Sequence, residues 1–344
     1  MLNPNSHKKS FEAILNEFLK EEVDYYKLKK AIEEWKSILY EITELDLTRD
    51  EHRENIHSET GKAIGTTWAA MCLDDLMRTK KFVKGVFLAV DDLVRKQVKK
   101  PVQLLYAGCG PFAPLVLLLT SKFSPEQVKF SLLEINENSY QLVQKVFQQL
   151  DLEKYLEGIR LCDATTVQLS NASTFDLVIS ETMQHALVRE QQVPITYNLL
   201  SQLREDVVLI PESIRLDIGL LSSFRNHERM MKGRFIDDFF KTLGTFFDLS
   251  KTSFLNNKEA FSTFSGIYRF PKYEFSLDQY DREVFNLLVV FTNIRVFGDE
   301  CLDTYESQLT TPLILEPMDG KHCQSVEVNY KVDTIPGIEF RLDG

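Results

Sequence analysis

The chain has 344 residues, enough for about two domains of ~150 residues and for a large hydrophobic core. Apolar residues make up 44% and charged residues 26%, which excludes a wholly disordered or collagen-like chain. The 51 acidic and 40 basic side chains give a net charge of −11, which argues against coating a nucleic acid by neutralising its phosphates. We therefore expect no nucleic-acid partner.

The number and spacing of the cysteines and the length of the apolar segments indicate the cellular compartment. The five cysteines are an odd number without CxxC spacing, so neither a disulfide framework nor a zinc site is predicted, and a reducing compartment fits best. The N-terminal residues lack the apolar stretch of a secretory signal. The longest apolar run, residues 114–119, is far shorter than the ~20 residues of a membrane span. We expect a cytoplasmic protein with no metal and no membrane contact.

The first sixty residues are predicted to form a helical N-terminal extension. After Ser10, a potential N-cap, the apolar residues of 11–19 recur at the i, i+3, i+4 and i+7 spacing of a helix. A second stripe of the same kind covers residues 28–39. The polar stretch 48–59 then predicts a loop or hinge.

Residues 61–211 alternate strand-like and helix-like segments. The predicted strands are residues 102–107, 128–135, 158–164, 175–180 and 207–210, and the predicted helices are residues 114–122, 136–150 and 183–203. Such alternation implies right-handed βαβ crossovers and a doubly wound parallel sheet of the Rossmann type. Ligands bind such sheets at the carboxyl ends of the strands.

Residues 212–344 read as an antiparallel, β-barrel-like domain. Several of its apolar runs alternate with period two, notably residues 213–221, 325–332 and 337–342. An aromatic segment near residues 224–264 interrupts them and is predicted to be a helical insertion. If this segment packs against its own barrel, its aromatic residues belong to the hydrophobic core. If it projects from the barrel, they form an apolar patch that can bind a partner.

Polar groups follow three successive predicted strands. The glycine-bearing turn with Gly108 and Gly110 lets the backbone approach a ligand closely. Glu134, some two dozen residues further on, ends the next strand, where a carboxylate can accept both hydroxyls of a ribose. Asp163 ends the third strand and could accept the exocyclic amine of an adenine. Together they predict an adenosine-type ligand.

This pattern resembles the class I S-adenosylmethionine-dependent methyltransferases. A GxxxxGK[ST] loop is absent and the third glycine of GxGxxG is missing, so neither ATP nor a dinucleotide is favoured. The first motif of those methyltransferases ends in GCG and their second strand ends in the ribose-binding acid. The resemblance implies S-adenosyl-L-methionine as the cofactor, held by Ala107, Gly108, Gly110, Glu134 and, at the end of the third predicted strand, Asp163 and Ala164.

Two residues depart from that family. Tyr106 stands where an acidic residue is usual, and Phe112 stands where a further glycine is frequent. These two side chains keep a non-catalytic, methyltransferase-like binding module open as an alternative.

The segment after the fourth strand resembles the double-glutamate loop of the protein arginine methyltransferases. In SETMQHALVRE, Ser180, Glu181, Met183 and Glu190 match that loop in type and spacing. Two carboxylates can grip a planar guanidinium, which stays charged at neutral pH, and hold its nitrogen in line with a methyl group. The resemblance implies that Glu181 and Glu190 are the catalytic residues that orient the acceptor.

Other segments match the same family less closely. Residues 75–82 resemble its D-x-x-R-T helix, so that Arg78 is implied to bind the carboxylate of the cofactor. The family has a histidine a few residues before this arginine, where the chain has Ala69. The segment most similar to the family's THW loop is residues 321–324, which contains His322. Segment 224–264 corresponds in position to its dimerisation arm, so a homodimer is also an expectation of the resemblance.

The sequence therefore predicts a methyltransferase that modifies a guanidino or amino nitrogen by direct displacement, without a metal. Its acceptor is left open between free arginine, another small metabolite and a peptide. A biosynthetic small-molecule O- or N-methyltransferase, with the N-terminal helices as a lid, remains an alternative beside the binding module.

Overall fold

A computed structural model describes residues 4–96, 100–232, 238–262 and 268–344. The helices are α1 (Pro4–Phe18), α2 (Tyr25–Thr43), α3 (Thr66–Met71), α4 (Leu76–Lys96), α5 (Pro114–Leu117), α6 (Glu137–Gln149), α7 (Gln192–Leu200), α8 (Ser223–Lys232) and α9 (Lys251–Ser262). Within the described ranges, none of them combines the length and apolar character needed to cross a membrane.

Sixteen strands accompany these helices in the described residues. They are β1 (Ile56–Ser58), β2 (Gly61–Ala63), β3 (Val102–Ala107), β4 (Val128–Glu134), β5 (Leu156–Leu161), β6 (Leu177–Ser180), β7 (Val208–Ile210), β8 (Ser213–Leu221), β9 (Phe240–Ser250), β10 (Tyr268–Arg269), β11 (Tyr273–Ser276), β12 (Leu287–Phe297), β13 (Glu300–Leu302), β14 (Leu313–Pro317), β15 (Ser325–Val332) and β16 (Gly337–Asp343).

Helices α1 and α2 form the predicted N-terminal extension. Their apolar stripes face each other, and the rings of Phe18 and Trp35 lie 5.9 Å apart at the buried contact. Asp24 caps α2, because its side chain accepts a hydrogen bond from the N–H of Lys27 at 3.1 Å. Ser10 is not an N-cap, since α1 already begins at Pro4.

The five central strands form a parallel sheet in the order β5-β4-β3-β6-β7. The chain runs outward from β3 through β4 to β5, then returns beside β3 with β6 and continues to β7. The switch point therefore lies between β3 and β6, where ligands bind in doubly wound sheets. This confirms the Rossmann-like class. Strand β5 ends at Leu161, which places the predicted strand residues Asp163 and Ala164 in the loop that follows.

The predicted helix over residues 183–203 is wrong in its first half. A short 3₁₀ turn covers His185–Leu187, and only α7 is α-helical. Tertiary hydrogen bonds hold this segment out of a helix. The N–H of Ala186 donates to Thr292 Oγ1 at 2.8 Å, and the N–H of Arg189 donates to the carbonyl of Pro336 at 2.7 Å. Both residues have positive φ, at 53° and 70°.

The C-terminal part consists of antiparallel strands, as predicted, but they form two sheets. One has the order β13-β12-β8-β9, with β14 also paired to β12, and the other has β15 between β16 and the edge strands β10 and β11. The stacked rings of Phe247 and Tyr330, with centroids 4.4 Å apart, join the two sheets.

The segment 224–264 is helical at its flanks, in α8 and α9, but not throughout as the sequence suggested. Its middle is the eleven-residue strand β9, which pairs with β8 from Ser213↔Ser250 to Leu221↔Phe240. The aromatic residues of this strand supply cross-strand and inter-sheet contacts, so β-pairing outweighs helix formation in the middle of the segment. Residues 233–237 and 263–264 of this segment lie outside the described residues.

Buried lysines of α4 tie the three parts together. Lys80 Nζ donates to the carbonyl of Phe18 at 2.7 Å, close to the C-terminus of α1. Lys84 Nζ lies 2.7 Å from a carboxylate oxygen of Glu300 in β13. Helix α4 therefore links the extension, the parallel sheet and the C-terminal sheets.

Candidate functional site

A cavity opens at the carboxyl ends of the parallel strands, at the switch point of the sheet. The predicted site residues that line it are Arg78, Gly108, Gly110, Glu134, Asp163, Ala164, Glu181 and Glu190. The volume of the cavity is about 1110 Å³, which includes solvent space at its mouth. Tyr106 and Phe112 are buried in its wall and leave this space open. Ala107, the last residue of β3, is buried but does not line the cavity.

The turn after β3 places two glycines in the left-handed region. Gly108 has a φ of 71° and Gly110 a φ of 62°, which residues with a Cβ rarely adopt. A Cβ on Gly108 would lie 2.2 Å from Cγ2 of Thr182, in the loop after β6. The missing side chain therefore lets the loop after β6 pass directly over this turn.

Backbone amides hold the carboxylate of Glu134. The N–H of Gly110 donates to Oε2 at 2.7 Å, while the N–H groups of Ile135 and Asn136 donate to Oε1 at 2.9 and 2.8 Å. Burial raises the pKa of Glu134 and these three hydrogen bonds oppose that rise. Because a carboxylate oxygen accepts about two hydrogen bonds, Oε2 keeps room for one further donor.

Asp163 lies two residues beyond the end of β5. Its Oδ1 accepts hydrogen bonds from the N–H of Thr165 at 2.8 Å and from Oγ1 of Thr165 at 2.7 Å. Within the described part of the chain, Oδ2 accepts no hydrogen bond. Ala164 is fixed beside it, since Asn198 Nδ2 donates to its carbonyl at 2.9 Å. Asp163 thus retains an acceptor atom at the cavity.

Arg78 and Glu181 form an ion pair in the cavity wall. Both side chains are nearly buried, with 14% and 11% of their surface exposed. Arg78 lies in the first turn of α4, where its N–H donates to Oδ1 of Asp75 at 3.1 Å. Oδ2 of Asp75 accepts from the hydroxyl of Ser307 at 2.7 Å, which fixes this turn against the C-terminal part. Burial raises the pKa of Glu181, and Arg78 opposes that rise.

Glu190 is the second carboxylate of the predicted pair and is only 5% exposed. Burial raises its pKa to about 7. The positive charges of Arg78 and Lys62 lower this pKa, whereas the neighbouring charge of Glu181 raises it. Both glutamates thus face one cavity and act on each other electrostatically.

Hydrogen bonds fix the glutamate loop, residues 181–191, at its start and in its middle. At its start, Oε1 of Gln192 accepts from the N–H of Thr182 at 2.8 Å, and Nε2 of Gln192 donates to the carbonyl of Ser180 at 2.8 Å. Further on, the hydroxyl of Tyr330 donates to the carbonyl of Leu187 at 2.7 Å. The positions of the two carboxylates are therefore set by side chains from two other elements.

A short hairpin, β1–β2, covers the other side of the glutamate loop. The N–H of Lys62 donates to the carbonyl of Arg189 at 2.9 Å. Nε2 of Gln191 donates to Ser58 Oγ at 2.7 Å and to Thr60 Oγ1 at 3.2 Å. The sequence analysis missed Lys62, Cys72 and Gln191, all of which line the cavity. The turn residues Ser, Thr and Gly at positions 58–61 were the available signal for this hairpin.

The N-terminal extension packs on the glycine turn. The ring of Tyr40 in α2 meets Phe112 edge to face, with centroids 5.8 Å apart. Lys36 of the same helix pairs with Asp74, close to the cavity residues Cys72 and Leu73. His322, in contrast, does not line the cavity. Among the described residues, no group of three or more His, Cys, Asp or Glu is placed to hold a metal ion.

Comparison with known proteins identifies the fold. No protein-family model matches the chain, and no curated protein matches it in sequence. Solved structures do match. The PRMT1 enzyme–prozyme heterotetrameric complex of Trypanosoma brucei with AdoHcy has 16% identity and a TM-score of 0.52, over 79% of this chain and 91% of that chain. PRMT6 with SAH has 13% identity and a TM-score of 0.52, over 79% and 98%. A further PRMT6 structure has 12% identity and a TM-score of 0.51, over 79% of this chain and 97% of that chain.

These matches confirm the resemblance at the level of the fold. The chain has the architecture of the protein arginine methyltransferases: a helical N-terminal part, a parallel Rossmann-like sheet and antiparallel C-terminal sheets. At 12–16% identity, the likeness concerns the fold alone.

Proposed function

We propose that this protein is an S-adenosyl-L-methionine-dependent methyltransferase that modifies a guanidino or amino nitrogen. The observation that carries this proposal is that Arg78, Glu134, Asp163, Glu181 and Glu190 all line one cavity at the switch point of the sheet. Separate elements contribute these charged side chains, and a purely structural role for each would not require them to meet.

The residues present fit the adenosine cofactor. Oε2 of Glu134 has capacity for one ribose hydroxyl, and Oδ2 of Asp163 can accept the amine of an adenine. Gly108 and Gly110 line the cavity without a side chain, so that a ligand can approach their backbone closely. Arg78 provides a cation for the cofactor's carboxylate. When bound, the cofactor would supply an electrophilic methyl group, which the acceptor nitrogen takes with its own electron pair while the carbon–sulfur electrons stay on sulfur.

Glu181 and Glu190 would hold and polarise the acceptor. Two nearly buried carboxylates attract a cationic nitrogen group strongly, because little water screens them. A planar guanidinium can donate to both and keep one nitrogen directed at the methyl group. With a pKa near 7, Glu190 is also suited to accept the proton that the methylated nitrogen releases.

The solved structures with a similar fold also support this proposal. Two of them are described as complexes with AdoHcy or SAH, the demethylated form of this cofactor. One is described as a heterotetrameric complex. A homodimer and a cytoplasmic location remain predictions for this chain, and its acceptor remains open between free arginine, another small metabolite and a peptide.

Titration calorimetry with S-adenosylhomocysteine tests the proposal. The full chain is expected to bind it, and Arg78→Met is expected to weaken binding at least tenfold. The exposed Arg49→Met is the matched control and should bind as wild type does. Absence of binding to the wild-type chain would overturn the enzyme reading in favour of a methyltransferase-like binding module.

A further inference from the structure

We propose that the methyl acceptor is a small guanidino or amino acid with a free carboxylate, and that Lys62 recognises this carboxylate. The inference rests on the proposed function and excludes the peptide from its three classes of acceptor. Two independent features of the acceptor side carry it: the covering of the glutamate loop and a cation left without a partner.

The covering of the glutamate loop leaves little room for a polypeptide. On one side the hairpin β1–β2 pairs with it through the hydrogen bonds of Lys62 and Gln191. On the other side the carbonyl of Pro336, in the β15–β16 turn, accepts the N–H of Arg189. Glu190 is consequently 5% exposed. A peptide backbone could not lie against the glutamate loop without displacing one of these covers, whereas a small molecule can enter the cavity whole.

Lys62 is a cation of this region that forms no ion pair with the described residues. It is half-buried and lines the cavity beside the glutamate loop. Its positive charge acts on Glu190, yet no carboxylate of the described residues lies within 4 Å of its ammonium group. Arg78, by comparison, already pairs with Glu181. A half-buried lysine at a ligand cavity favours an anionic group on the ligand.

An acceptor with a cation at one end and an anion at the other matches this charge distribution. Its guanidinium or ammonium group would lie between Glu181 and Glu190, and its carboxylate would pair with Lys62. An arginine inside a polypeptide has an amide in place of that carboxylate. Lys62 would then stay unpaired and unfavourably close to a second cation.

Calorimetry on the full chain saturated with S-adenosylhomocysteine tests the inference with three probes. These are L-arginine, agmatine, which lacks only the carboxylate, and a Gly-Arg-Gly peptide with blocked ends. We expect L-arginine to bind at least tenfold more tightly than either other probe. We expect Lys62→Met to reduce this preference to less than threefold by weakening L-arginine alone, while Lys9→Met, an exposed control, preserves it.

The outcomes separate this inference from the proposed function. Equal binding of agmatine or of the peptide would overturn it, as would failure of all three probes to bind the loaded protein. A Lys62→Met variant that weakened all probes equally would assign the residue a merely structural role. The comparison of probes on the wild-type chain stands even if the variant does not fold. Only failure to bind S-adenosylhomocysteine itself counts against the proposed function.

Discussion

The guanidinium of Arg78 and the carboxylate of Glu181 are paired in the cavity wall, although the sequence analysis assigned them to different ligands. Arg78 is expected to bind the cofactor and Glu181 the acceptor. Their pairing couples the two halves of the site. A cofactor carboxylate that approaches Arg78 competes with Glu181, and thereby releases negative charge toward the acceptor.

Replacing Glu181 with glutamine should therefore separate turnover from cofactor binding. We expect turnover to fall at least about a hundredfold, which is the scale of a lost transition-state contact. Affinity for S-adenosylhomocysteine should stay within about threefold, because Arg78 loses a competitor and keeps an amide oxygen as a partner. Methyl-transfer kinetics and calorimetry check the two quantities. Glu153→Gln, an exposed control, should change neither. Equal losses in both would contradict the role given to Glu181.

The raised pKa of Glu190 predicts a pH dependence of acceptor binding. A cationic acceptor needs the ionised carboxylate, so kcat/KM should rise with pH through about 7. The Glu190→Gln variant should lose this rise along with most of its activity. A rate profile that is flat between pH 6 and 8 in the wild type would contradict the assignment.

The raised pKa of Glu190 also predicts that its contribution to stability falls as pH rises, whereas the activity rises. Since folding raises the pKa of Glu190 from 4.5 to about 7, the folded state binds more protons between these values. The contribution of Glu190 to the free energy of unfolding of the unliganded protein should therefore decrease as pH rises from about 4.5 to about 7. Glu190→Gln should remove this contribution, so that the variant melts at a higher temperature than wild type above pH 7. Thermal melts of both proteins across this range measure the difference.

Much of the fold could be predicted because local pattern and tertiary environment agree in it. Strands β8 and β15 match their predicted bounds, since both have apolar residues at alternate positions that are buried in the structure. Glu134 could be located because it ends a strongly apolar strand. The predictions failed where tertiary contacts decide the backbone. The segment 183–191 has helical character but is held by Thr292 and Pro336, which are distant in sequence. Lys62 carried no local signal of a ligand site.

The N-terminal extension should contribute both to stability and to the cavity. Trp35 in α2 is fully buried, and truncating it to alanine should cost about 3–5 kcal/mol of unfolding free energy. Because α2 also presents Tyr40 to Phe112, the variant should bind S-adenosylhomocysteine more weakly than wild type does. Tyr26→Ala, on the exposed face of the same helix, is the control and should change stability by less than about 0.5 kcal/mol. Denaturant titration and calorimetry check both effects. Retention of full affinity by a destabilised Trp35 variant would show that the extension does not shape the cavity.

A side chain at Gly108 should disrupt the crossing of the two loops. In Gly108→Ala the new Cβ would lie 2.2 Å from Cγ2 of Thr182, and the φ of 71° is unfavourable for alanine. We expect the glutamate loop to be displaced, so that affinity for S-adenosylhomocysteine and turnover both fall at least tenfold. Adding Thr182→Ser removes the clashing methyl and should restore part of the loss, while the strain of the positive φ remains. Gly158→Ala is the matched control, because a Cβ there meets no atom within 4 Å. Wild-type binding by Gly108→Ala would contradict the tight contact between the turn after β3 and the loop after β6.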